Sequence, residues 1–136
     1  MILLDTHVLV WVLQEDPALG AKAIDRIEGA RQAEGLAVSV ISLWEIAMLV
    51  DKKRLSLGRP TVEWVDRALG MNGISLAPLE PMIAVEAGGL AGLHGDPFDR
   101  IIIATARHHD APLLTADRAI LAYGAAGHVA VVDAGA

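Results

Sequence analysis

Short apolar runs alternate with longer segments of helical spacing along this whole chain, and that alternation leaves few folds open to it. Met1 to Leu4, Leu36 to Val40, Ile74 to Ala77, Pro112 to Thr115 and His128 to Val132 are too short for helices and read as strands. Between them the spacing predicts helices over Thr6 to Leu13, Ala18 to Ala33, Ile41 to Arg54, Thr61 to Leu69, Pro81 to Leu93 and Phe98 to His109, with a short one opened by Asp117. In the second of these, Leu19, Ala23, Ile27 and Ala30 fall on one face and Asp25, Arg26 and Glu28 on the other. Strands that take turns with helices predict an α/β fold: a mainly parallel sheet of four to five strands between helices, three layers in all.

At 136 residues the chain fits a single domain spanning 1–136, large enough to bury a real core. No apolar run approaches the ~20 residues that span a bilayer. The start, Met1-Ile2-Leu3-Leu4-Asp5, has no basic stretch ahead of its apolar residues, so no secretory signal is expected. With no cysteine there is neither a disulfide framework nor a thiolate metal site, and the cytoplasm is the expected compartment. The net charge of −6 counts against general nucleic-acid binding. Yet Lys52-Lys53-Arg54 forms a basic cluster near Arg59, and Arg100, Arg107 and Arg118 lie close to acids. A basic rim around an acidic centre is compatible with that pattern, and Arg100 is the candidate substrate contact.

Five acids carry the chemistry. Asp5 ends the first strand, Glu45 lies early in the helix after the second, Asp96 and Asp99 open the Pro97 helix, and Asp117 follows the Leu113-Leu114 run. In open parallel sheets ligands bind beyond the carboxyl ends of the strands, which is where Asp5, Glu45 and Asp117 fall; Asp96 and Asp99 join them if their helix begins there. Carboxylates gathered at one edge repel, and a divalent cation or shared protons must offset that. Oxygen-only donors suit Mg²⁺ or Mn²⁺ and point to metal-assisted phosphoryl chemistry. The histidines lack a His-Glu-x-x-His spacing, so zinc is the weaker reading.

Each acid also has an innocent explanation. Ser42-x-x-Glu45 reads as a capping box, Asp96 and Asp117 as N-caps, and Asp99 as a first-turn acid favoured by the helix dipole; the Thr6 hydroxyl is itself a candidate cap. Asp5 resists such a reading. It interrupts a largely apolar stretch from Ile2 to Leu13, where an unpartnered carboxylate is costly. Capping and ligation are compatible, because a carboxylate has two oxygens.

Taken together, Leu4-Asp5-Thr6-His7-Val8-Leu9, Ser42-Leu43-Trp44-Glu45-Ile46-Ala47, Asp96-Pro97-Phe98-Asp99-Arg100 and Leu114-Thr115-Ala116-Asp117 resemble PIN-domain proteins, above all the VapC-type toxins of bacterial toxin–antitoxin pairs. The resemblance implies a PIN-like sandwich and an Mg²⁺- or Mn²⁺-dependent endoribonuclease neutralised by a VapB-like antitoxin. It implies Asp5, Glu45, Asp99 and Asp117 as the catalytic, metal-holding acids, Asp96 as a lower-ranked fifth, and Thr6 and Thr115 as supporting residues. RNA is the implied substrate. A homodimer is expected, with the Thr6 to Leu13 segment and Trp44 suited to an interface.

Two rivals differ in class. A catalytically inactive PIN-like module would only bind a protein partner. An Asp-nucleophile phosphatase needs a second acid two positions after the first, and His7 stands there.

Overall fold

The computed structural model describes residues 1–71 and 73–136. Its elements run β1 (Ile2–Leu4), α1 (Thr6–Gln14), α2 (Ala21–Gln32), β2 (Leu36–Ser39), α3 (Val40–Asp51), α4 (Thr61–Leu69), β3 (Ile74–Ala77), α5 (Pro81–Gly89), α6 (Pro97–His108), β4 (Leu113–Thr115), α7 (Arg118–Ala125) and β5 (Val131–Asp133). The strands form one five-stranded sheet in the order β3-β2-β1-β4-β5, and every pairing is parallel. Leu4 of β1 stands opposite Val38 on one side and Leu114 on the other, which sets Asp5 level with Ser39 and Thr115.

The inner strands β1, β2 and β4 are buried throughout and read as mainly apolar runs because both faces of the sheet are covered there. Ile2, Leu4, Leu36, Val38 and Leu114 pack on one side with Val8 and Leu9 of α1, Ala23 and Ile27 of α2 and Trp64 of α4. Leu3, Ala37 and Leu113 pack on the other with Ile83 of α5, Ile102 and Ile103 of α6 and Ile120 of α7. Half-cores therefore flank the sheet on both sides, as three layers require. Among the described residues no helix is long and apolar enough to cross a membrane.

Several expected boundaries shift, each for a local reason. β2 stops at Ser39, whose side chain accepts from the Ile41 N–H at 3.2 Å and caps α3. The capping box expected at Ser42 and Glu45 is thereby corrected: Ser42 lies inside the helix, fully buried. The α2 helix begins at Ala21 rather than Ala18. It lacks a side-chain cap, and the N–H groups of Lys22 and Ala23 donate to the carbonyl of Ala136 instead. Gly20 permits that approach, since a Cβ there would collide with Ala136. The α5 helix ends at Gly89 rather than Leu93, where glycines weaken it. Within the Thr6 to Leu13 segment, Val8, Leu9 and Val10 are buried in the chain's own core, while Trp11, Val12 and Leu13 are only partly buried. Trp44 is 63% exposed, with its ring edge-on to Phe98 at 5.4 Å.

Candidate active site

In this strand order the chain leaves β1 for one side of the sheet and later returns to its other side, so a crevice opens beyond the ends of β1 and β4. Asp5 follows β1 directly and caps α1, its Oδ1 accepting from the Thr6 N–H at 2.8 Å. The cap of α1 is thus Asp5, not Thr6. Asp5 is 3% exposed, and its Oδ2 accepts from the Thr115 hydroxyl at 2.7 Å, a bond that joins the ends of neighbouring strands. Thr115 in turn accepts from the Asp117 N–H at 3.0 Å.

The other acids arrive on helices. Asp117 caps α7, with Oδ1 accepting from Ala119 and Ile120, and Asp96 caps α6, with Oδ1 accepting from Phe98 and Asp99. Each cap employs one carboxylate oxygen and leaves the other available. Glu45 sits on α3 shortly after Ser42, whose hydroxyl accepts from the Thr6 hydroxyl at 2.9 Å and so ties α3 to α1. Asp5, Glu45, Asp96, Asp99 and Asp117 all line one cavity of about 270 Å³, together with Thr6, His7 and Trp11.

Their charges act on one another. Burial pushes the Asp99 carboxyl up to about 7, and the fields of Asp5, Asp96, Asp117 and Glu45 add to that rise. Glu45 is raised in the same way, first by burial and then by Asp5 and Asp96, with the Thr6 hydroxyl opposing. The acids ring the cavity rather than converge on one point: among the described residues no three His, Asp or Glu side chains form a ready-made ligand group. What fits a hard divalent cation is the oxygen-only donor set and its mutual repulsion, which a positive charge relieves.

Arg100, the expected substrate contact, is placed elsewhere. Its Nε donates to the Ala87 carbonyl at 2.8 Å, Nη1 to Leu93 and His94, and Nη2 to Gly88 and Leu90. A guanidinium has five N–H groups, and these carbonyls take all of them. Its role is to fasten the end of α5 and the following loop to α6. Sequence reasoning gave no site role to Ser39, Ser42, His7 or His94. His7 Nε2 accepts from the Ala116 N–H at 3.0 Å, and His94 Nδ1 from the Asp96 N–H at 3.3 Å. The only sequence signal for either histidine was its place within a few residues of a site acid.

The chain matches the PIN domain family model over residues 2–126. It belongs to the PIN domain family. This PIN domain is 36% identical over 118 residues to the ribonuclease VapC22 of Mycobacterium tuberculosis, an alignment covering 86% of this chain and 87% of that protein. Its fold is shared with a chain in the VapBC2 structure of Rickettsia felis bound to a promoter DNA fragment, at a TM-score of 0.72 and 19% identity, covering 97% and 98% of the respective chains. It is shared also with a chain of a toxin–antitoxin complex from Klebsiella pneumoniae, at a TM-score of 0.63 and 20% identity over 98% and 97%. The resemblance read from the motifs therefore holds at the level of family and fold.

Proposed function

We propose that this PIN-domain chain is an endoribonuclease of the toxin type, dependent on Mg²⁺ or Mn²⁺, acting in the cytoplasm as a single domain and neutralised by an antitoxin protein. The observation that carries the reading is the gathering of acids from four separate segments into one cavity beyond the strand ends. The ribonuclease relative supports it, and the fold shared with chains of toxin–antitoxin complexes accords with an antitoxin partner. Asp5, Glu45, Asp99 and Asp117 would hold the cation, with Asp96 at the rim. Bound there, a divalent cation would supply Lewis-acid polarisation of a phosphodiester and would lower the pKa of water enough for it to give up a proton and serve as nucleophile at neutral pH.

The chain's own groups prepare the site. Thr115 orients Asp5 and the backbone before α7, while the Thr6–Ser42 bond fixes α3, and Glu45 with it, against α1. Lys52, Lys53 and Arg54 lie exposed between Leu49 and Leu55, both of which line the acidic cavity. They supply the basic rim that an RNA backbone needs next to an acidic centre. The exposed apolar side chains Trp44, Val62, Met82 and Val85 offer surface to protein partners, here an antitoxin and a second copy of the chain.

The test is cleavage of single-stranded RNA by purified protein with added Mn²⁺ or Mg²⁺. Cleavage should stop with EDTA, and Asp5→Asn should lower it by more than about 100-fold, beyond what changes outside the ligand shell cost. Equal cleavage by parent and Asp5→Asn would remove the assignment. Antitoxin binding without any metal-dependent cleavage would favour an inactive binding module.

A further inference from the structure

His7 lines the acidic cavity and His94 lies behind two of its acids, Asp96 and Asp99, and each ring accepts from a backbone N–H with one nitrogen and faces a carboxylate with the other. The Ala116 N–H donates to His7 Nε2 at 3.0 Å. A ring nitrogen that accepts from a backbone amide carries no proton, so the hydrogen of His7 sits on Nδ1. That nitrogen lies 3.6 Å from Asp5 Oδ2, and the ring is seated by an edge contact with Trp11 at 5.0 Å between centroids. His7 therefore spans Asp5 and the segment that presents Asp117.

His94 mirrors this arrangement with its nitrogens exchanged. The Asp96 N–H donates to Nδ1 at 3.3 Å, which puts the hydrogen on Nε2, 3.5 Å from Asp99 Oδ2. Its own carbonyl is held by Arg100 at 3.2 Å. His94 thus spans the backbone of one α6 acid and the side chain of the other.

We propose that His7 and His94 are positioning residues of the cation site, held in opposite tautomers, His7 setting Asp5 against the segment that presents Asp117 and His94 setting the Asp99 side chain against the Asp96 backbone before a cation binds. The part concerning the cation rests on the nuclease reading; the tautomers do not. The rival account is that both are merely surface rings, since their side chains are 34% and 40% exposed.

The parent chain decides the tautomers directly. Long-range ¹H–¹⁵N spectra of the metal-free protein at a pH of about 7.5, above the ordinary histidine range, should show His7 protonated on Nδ1 alone and His94 on Nε2 alone. Either ring in the other tautomer, or in an exchanging mixture, overturns the proposal. Calorimetry with Mn²⁺ then tests the consequence. His7→Phe keeps a ring against Trp11 but no nitrogen, and should weaken Mn²⁺ binding about 10-fold. His7→Gln, whose amide oxygen reaches about as far as Nε2, should recover most of that loss, and His94→Asn, which replaces Nδ1 as acceptor, should bind more tightly than His94→Leu. A role in stability alone would lower the melting temperature with no such rescue of affinity. Parent-like Mn²⁺ binding by His7→Phe and His94→Leu overturns the positioning role. A parent that binds no Mn²⁺ refutes the nuclease reading instead, and the tautomers still decide whether the histidines brace the loops.

Discussion

A carboxylate can cap a helix and still serve a ligand, and Asp96 and Asp117 are placed to do both, each with one oxygen committed to backbone N–H groups. Asp99 registers the crowding of charge most strongly, with its carboxyl raised to about 7. Its unfolded value is about 3.9, so between these limits the folded, cation-free protein holds a proton that the unfolded chain has released. Stability therefore falls as pH rises through that window, and Glu45, raised in the same direction, adds to the fall. A cation takes over the task of the proton. The melting temperature of the metal-free protein should thus drop between pH about 5 and about 7.5, and the rise produced by Mn²⁺ should be larger at the higher pH. Differential scanning fluorimetry checks this, and a Mn²⁺ effect equal at both pH values would contradict it. The acids were legible in the sequence because each follows an apolar run or opens a helix. The bond between Asp5 and Thr115 was not, because its partners lie 110 positions apart.

At the scale of elements, the inner strands were legible to within a residue, since parallel strands covered on both faces must be apolar throughout. β5 opens at Val131 rather than His128, and as a half-covered edge strand it carries less of that signal. Helix starts were harder to place. Ser39 and Ser42 are equally good caps by type, and only the length of β2 decides that Ser39 serves. Bonds from a side-chain donor to backbone carbonyls outside its own helix escape sequence reading, because every residue offers the same carbonyl. Arg100 is the clearest case, with five carbonyl partners at 2.8 to 3.3 Å. Lysine has three donors on one nitrogen and cannot span that set. Arg100→Lys should cost about 2–4 kcal/mol of stability, close to the cost of Arg100→Ala, from the loss of several charge-assisted bonds. Denaturant unfolding measures it, and a lysine variant as stable as the parent would show that the carbonyls find other partners.

For the molecule as a whole, charge is the puzzle that geometry resolves. A chain of net charge −6 meets a polyanion only where cations are set apart, and Lys52, Lys53 and Arg54 stand exposed beside residues lining the cavity. Reversing all three to Glu should raise the KM for RNA and flatten its dependence on salt. An unaltered salt slope would place the RNA elsewhere. The strand order has a further consequence, in time rather than space. β1 leaves the ribosome ahead of the other strands, yet it is central in the sheet, and its second partner, β4, is encoded more than a hundred residues later. Pairing so distant in sequence forms slowly and only after loop closure. A nascent chain that has not yet emerged past Thr115 and Asp117 has Asp5 but not the hydroxyl that orients it or the opposite wall of the cavity, so the fold itself withholds an assembled site until β4 and the start of α7 have joined β1.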